Sequence, residues 1–169
     1  MNNIVVYSSK TGNTKMVGEA IAKAYNLDCK DVAEVSPVDL QSYDNVIVGF
    51  WADKGTADQK ALKFLEELQS LNLGLFMTLG AEPDTEHAKS TMNTVVELVE
   101  KKGNVVKATF MCQGKIDPKL TEMFKKMGDK SPHKWDEARM KRHEEAAKHP
   151  DENDLKNAVK AFEEICNAI

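Results

Sequence analysis

Short, continuously apolar runs alternate along this chain with stretches whose apolar residues recur every three or four positions. Ile4-Val5-Val6-Tyr7 is too uniformly apolar for a half-exposed strand and predicts a buried one. Met16, Val17, Ala20, Ile21 and Ala24 then fall at helical spacing. Leu27 to Val35 reads as a weak second strand at a sheet edge, and Tyr43 to Phe50 as a turn into a buried central strand. A helix follows with Ala61, Leu62, Leu65 and Leu68 inward, then a fourth strand from Leu73 to Leu79. Met92, Val95, Val96 and Val99 mark a third helix that stops at Gly103, and Val105 to Cys112 forms a fifth strand. Alternating apolar strands and amphipathic helices predict an α/β fold with a parallel sheet.

The last helix is the clearest of all. Pro150 and Asp151 suit its first turn, and Leu155, Ala158, Val159, Phe162, Ile165 and Ile169 form one stripe. Before it, about 38 residues break the alternation. They read as a helix from Lys119 to Met127, a break at Gly128 to Pro132 and a charged helix from Lys134 to Lys148. From Asp129 to Asp151 there are six Lys or Arg and six Asp or Glu, as expected of a solvated helical excursion.

Composition narrows the function classes. A chain of 169 residues is one domain by length, spanning 1–169, and long enough to need no disulfide or metal staple. A net charge of −4 argues against a nucleic-acid binder, whose domain carries a basic face. No apolar run approaches a bilayer span, so no membrane-spanning segment is expected. Cys29, Cys112 and Cys166 are widely separated, and no basic leader precedes the first strand. Both features lead to the expectation of a cytoplasmic protein.

The chemistry concentrates in Ser8-Ser9-Lys10-Thr11-Gly12-Asn13-Thr14, between the first strand and first helix. Parallel sheets bind ligands at the carboxyl ends of their strands, and a loop there delivers a helix N-terminus whose N–H groups favour an anion. Ser9, Thr11 and Thr14 supply hydroxyls, and Gly12 lets the backbone curl closely around a phosphate. The same residue types also make ordinary turns and caps. Neither GxxxxGK[ST] nor GxGxxG occurs, which sets aside triphosphate and dinucleotide loops. A phospho-acceptor would need carboxylates at the ends of strands one and three, where the first strand offers serines, and a thiol phosphatase would need a cysteine in this loop, which has none.

Ser9-Lys10-Thr11-Gly12-Asn13-Thr14 resembles the phosphate loop of the flavodoxin family, S/T-x-T-G-x-T. Tyr43 to Gly49 is similar to that family's third strand, and Thr78-Leu79-Gly80-Ala81 to its third flavin loop. The likeness spans residues 3 to 112 and the final helix. The overall pattern also resembles a flavodoxin-like branch linked to bile-pigment reduction in anaerobic bacteria. The resemblance implies a doubly wound five-stranded parallel sheet in the order 2-1-3-4-5 and three loops converging on FMN, to which the residues that break the alternation add a helical insertion at about 115–149. Ser9 to Thr14 would hold the phosphate without metal or arginine. Trp51, Ala52, Asp53, Lys54 and Gly55 would form the second loop, with Trp51 against the isoalloxazine ring or else a core or rim anchor. Thr78, Leu79, Gly80 and Ala81 would meet the ring's polar edge, and their loop lacks an aromatic.

No catalytic residue is expected, because the cofactor carries the chemistry. His87, His133, His143 and His149 have no ligand spacing and are expected to face solvent, so no metal is expected. Cys112 ends the fifth strand at the functional edge, where a buried structural thiol is the commoner outcome. Met16, Met77, Met92 and Met123 read as packing. Three functions fit: an FMN electron carrier between redox partner proteins, an FMN oxidoreductase taking hydride from NAD(P)H to reduce a quinone or tetrapyrrole, or a docking module that kept the fold.

Overall fold

A computed structural model describes residues 1–130 and 134–167. Five parallel strands form the sheet: β1 (Asn3–Tyr7), β2 (Asp28–Asp31), β3 (Asn45–Asp53), β5 (Asn72–Leu79) and β6 (Val105–Gln113). A two-residue β4 (Thr56–Ala57) pairs antiparallel with the end of β3. The order β2-β1-β3-β5-β6 is the expected doubly wound order, its last two strands renumbered by β4. Strand β2 is shorter than expected, because the Asp31 carboxylate caps a 3-10 turn at Val32–Glu34.

Period-two alternation sorts the sheet's side chains onto two faces. Ile4, Val6, Val46, Val48, Leu73, Leu75 and Met77 point towards α2 (Gln59–Glu67) and α3 (Glu86–Glu100). Val5, Ile47 and Phe76 point the other way, towards α1 (Asn13–Tyr25) and α6 (Glu152–Ala161). The buried face of α1 consists of Thr14, Val17, Gly18, Ile21 and Ala22, whereas Met16 and Ala24 are exposed. The expected stripe is therefore rotated, because the helix sits on a bulky ring. Phe76 is wholly buried, and a Cβ at Gly49 would lie 2.0 Å from its Cζ. A Cβ at Gly18 would lie 3.3 Å from the same atom. The ring thus occupies the space two absent side chains leave, and it meets Phe162 edge-on at 6.3 Å.

The final helix is not continuous. Asp151 sits at the N-cap of α6 in a capping box with Asp154, so neither it nor Pro150 lies in the first turn. Helix α6 ends at Ala161 with Phe162 at its C-cap, α7 (Glu163–Asn167) follows, and Phe162 and Ile165 are buried in one cluster. Ile169 lies outside the described residues, as do Pro132 and His133. The insertion contains α4 (Pro118–Met127), capped by Asp117, and α5 (Glu137–Ala146), capped by Asp136. The latter is shorter at both ends than its charge pattern suggested.

Two histidines expected in solvent hold this insertion together. His143 accepts or donates at Nδ1 to the Thr121 hydroxyl at 2.8 Å and packs edge-on against Trp135 at 4.9 Å. Burial, with Arg139, Arg142 and Lys125 nearby, lowers its pKa. His149 bonds the Asp154 carboxylate at 2.6 Å, lies 3.5 Å from Glu145, and accepts the Lys115 N–H at its carbonyl. The hydrogen bond that His149 donates to the Asp154 carboxylate raises the His149 pKa against the opposing effect of burial.

Replacing Gly49 with Ala forces the Phe76 ring to move and is expected to destabilise the fold by about 1–3 kcal/mol, read as a lower melting temperature. His149 stabilises the fold as the imidazolium. Its contribution is complete below its unfolded pKa of about 6.5 and is lost as pH rises through the higher folded value. The melting temperature should fall across that window, and the fall should shrink in His149→Gln; an unchanged profile would remove His149 from this role.

Candidate functional site

The carboxyl ends of β1, β3, β5 and β6 arrive at one edge because the strands are in register. Tyr7 pairs with Gly49, Trp51 with Thr78, and Thr78 with Cys112. At this edge α1 begins without a side-chain cap, unlike α2 to α6, each capped by Asp or Thr. Gly12 at its N-cap has φ 97°, a left-handed conformation that suits glycine and turns the loop sharply into the helix. The Ser9 hydroxyl accepts the Gly12 N–H at 3.1 Å and shapes the loop. The first bond within α1 is Met16 N–H to the Gly12 carbonyl, so the preceding N–H groups point out of the helix end.

Hydroxyls add to those amides. Thr14 is buried, and its Oγ1 lies 2.8 Å from the Thr78 Oγ1, tying the first loop to the third. Whichever hydroxyl accepts in that pair keeps its own proton for another acceptor. Asn13 extends its Nδ2 to the Lys115 carbonyl at 2.8 Å and to the Thr11 hydroxyl at 3.3 Å. The loop is therefore rich in donors, and its oxygens are already shaped by the fold.

Asp58 connects this loop to the second. Its buried carboxylate accepts the Ser8 hydroxyl at 2.7 Å, the Ala61 N–H at 3.2 Å and the Trp51 N–H at 3.3 Å. The sequence reading missed it, although an Asp three residues before the inward Ala61 is an N-cap signal. The second loop is a hairpin. Strand β3 runs on to Asp53, and Lys54 (φ 50°) and Gly55 (φ 79°) turn it into β4. Trp51 is half-buried, and the Lys10 ammonium lies 5.9 Å from its ring.

A cleft of about 160 Å³ lies between these elements. Of the expected residues, Ser9, Lys10, Thr11, Asn13, Thr14, Trp51, Ala52, Thr78, Leu79 and Gly80 line it. Gly12 shapes the helix entrance, Asp53, Lys54 and Gly55 lie out along the hairpin, and Ala81 lines a neighbouring cavity with Gln113 and α5. The fourth wall comes from the insertion: Gly114, Lys115, Ile116, Asp117 and Leu120. A Cβ on Gly80 would lie 2.7 Å from Ile116 Cγ1, so Ile116 rests directly on the third loop. Gly114 donates to the Leu79 carbonyl at 2.8 Å and Gln113 to the Gly80 carbonyl at 2.9 Å. Asp117 lies 3.8 Å from Lys10. This wall follows from the topology, since the insertion leaves β6 at the carboxyl edge of the sheet.

Cys112 is buried behind the cleft, and burial pushes its thiol up to about 12, which keeps it neutral. Met77 and Met92 are core residues as expected, whereas Met16 and Met123 are 45% and 44% exposed. His87 is exposed.

Comparison with known proteins agrees with this geometry. The Flavodoxin domain family model matches residues 4–163. A flavodoxin-like domain-containing protein BilS from Clostridioides difficile is 34% identical over 163 residues, covering 94% of this chain and 92% of its own. Its namesake from Clostridium symbiosum is 30% identical, covering 78% of each. Among solved structures, oxidised Flavodoxin 1 from Bacillus cereus superimposes with a TM-score of 0.65 over 100% of this chain and 99% of its own, at 13% identity. Such low identity speaks for the fold alone. The family match, the relatives and the sheet order converge: this chain belongs to the flavodoxin domain family of flavin-dependent redox proteins.

Proposed function

We propose that this protein is an FMN-binding electron carrier that exchanges electrons with other redox proteins. One observation carries the reading: the uncapped N-terminus of α1, ringed by Ser9, Thr11 and Thr14, opens into a cleft flanked by Trp51. Amides at a positive helix end together with neutral hydroxyls suit a phosphate monoester. Among the described residues the cleft offers no arginine and no second nucleotide loop for a pyrophosphate and adenosine.

When bound, the isoalloxazine supplies one- and two-electron chemistry. The chain's own residues bind and orient it. The α1 amides with Thr11 and Thr14 would hold the phosphate, and Asn13 fixes the loop to the insertion. Trp51 would lie along one ring face, while Leu79, Ile116 and Leu120 supply aliphatic contact in place of a second aromatic. Lys10, held between Trp51 and Asp117, brings a positive charge to the rim. The cleft is smaller than the roughly 300–1,000 Å³ of pockets that enclose a whole ligand, so part of the cofactor would remain accessible to a partner. The resemblance of the sequence pattern to a flavodoxin-like branch linked to bile-pigment reduction also supports a place in that chemistry, supplying electrons to a reductase.

FMN should bind with quenching of its fluorescence, and riboflavin far more weakly. Thr11→Val and Thr14→Val should each weaken FMN binding about 10–100-fold, the effect of losing 1.5–3 kcal/mol of charge-assisted hydrogen bonding. Equal affinity for riboflavin and FMN would end the phosphate assignment. Anaerobic mixing of the FMN-loaded protein with NADPH should leave the flavin absorbance unchanged until a reductase is added. Rapid bleaching by NADPH alone would instead show an oxidoreductase acting on a small acceptor such as a quinone or tetrapyrrole.

A further inference from the structure

The apolar face of α4 is wider than its packing uses. Phe124 takes the Arg139 guanidinium at 5.1 Å and the His143 ring at 6.4 Å, while Thr121 bonds His143, so this side of the helix faces α5. Leu120, Met123 and Met127, spaced i, i+3 and i+7, run along the other side and remain 39%, 44% and 39% exposed. No residue of α4 is buried.

Charge distinguishes this stripe from an ordinary solvated face. Met123 and Met127 share a groove with Pro118, Lys119, Glu122 and Lys126. Its carboxylate, Glu122, lies 4.0 Å from Lys125. Among the described residues, neither Lys119 nor Lys126 forms an ion pair, nor does Lys115 at the lip of the cleft. A chain of net charge −4 thus carries uncompensated cations around an apolar stripe. The stripe is also continuous with the cleft, because Leu120 lines it.

We propose that Leu120, Met123 and Met127, with Lys119 and Lys126, form the docking face for an acidic redox protein whose own centre is rimmed by carboxylates. The inference deepens the electron-carrier reading by giving the partner a charge and a place. Lysines at the rim steer an anionic surface into contact and set its orientation. Methionines adapt to an apolar centre without demanding one fixed shape. The cleft wall then becomes the contact itself, and electrons cross a short distance from its mouth.

Two soluble electron-transfer proteins of opposite charge serve as probes: acidic plant plastocyanin and basic cytochrome c, each fluorescently labelled and titrated with FMN-loaded and FMN-free chain. Plastocyanin should bind at least about tenfold tighter than cytochrome c at low ionic strength, with affinity falling as salt is added. Lys119→Glu with Lys126→Glu should reverse that order. Met123→Gln with Met127→Gln should weaken plastocyanin binding severalfold even in salt. Preference of the unmodified chain for cytochrome c, or no response to the lysine reversals, would overturn the proposal. So would self-association in sedimentation that the methionine pair abolishes, since a second copy would then own the face. Failure to take up FMN would end the carrier reading, while the FMN-free titrations would still decide the docking face.

Discussion

The position of α1 over the sheet depends on one ring. Phe76 projects from β5, which lies between β3 and β6, into space left open by Gly49 on β3 and Gly18 on α1. Interiors are packed so closely that even one methyl group at either position would have to displace the ring or the helix. With Phe76 in place, α1 lies close to the sheet and its first turn reaches the carboxyl edge at the height of Thr78. The Thr14–Thr78 hydroxyl pair records that alignment. The anion-binding end of the helix is thus positioned by apolar packing some distance behind it.

Asp58 performs the complementary task at the edge. It is an N-cap for α2, and the same carboxylate receives the Ser8 hydroxyl and the Trp51 amide. A group that satisfies three donors from three segments makes those segments move together. The loop that would hold a phosphate and the strand end that carries Trp51 are therefore one unit. Because the donors inside the cleft are arranged before any ligand arrives, less ordering is left to oppose binding.

The insertion is part of the site rather than an ornament on it. Its entrance crosses Gly80 with Ile116, and its exit returns through His149 to the Lys115 amide. Asn13 joins the phosphate loop to the carbonyl of the same Lys115. Entrance, exit and loop thus meet at a single residue. An imidazolium bound to Asp154 helps to hold that junction, which places the anchoring of the cleft wall under the influence of pH.

Much of the architecture was legible in the order of residues alone. The apolar runs at Ile4 to Tyr7, Val46 to Phe50 and Leu73 to Met77 identify the buried strands, because a strand covered on both faces carries few polar residues. The Ser9 to Thr14 loop is legible for a similar reason: its chemistry is local, residing in backbone amides and neighbouring hydroxyls. Other features depend on residues far apart in the chain. Helix α1 turned its Thr14–Val17–Ile21 face inward instead of Met16 and Ala24 because of the Phe76 ring, which comes from a strand more than fifty residues later. Two histidines became half-buried struts because their partners, Thr121 on α4 and Asp154 on α6, come from other elements. The wall formed by Lys115 to Leu120 has no periodic signal, since its role is to cross Gly80 and meet Asn13. Local pattern determined the elements and the phosphate-binding loop; only the folded chain decided which surfaces meet around the cleft.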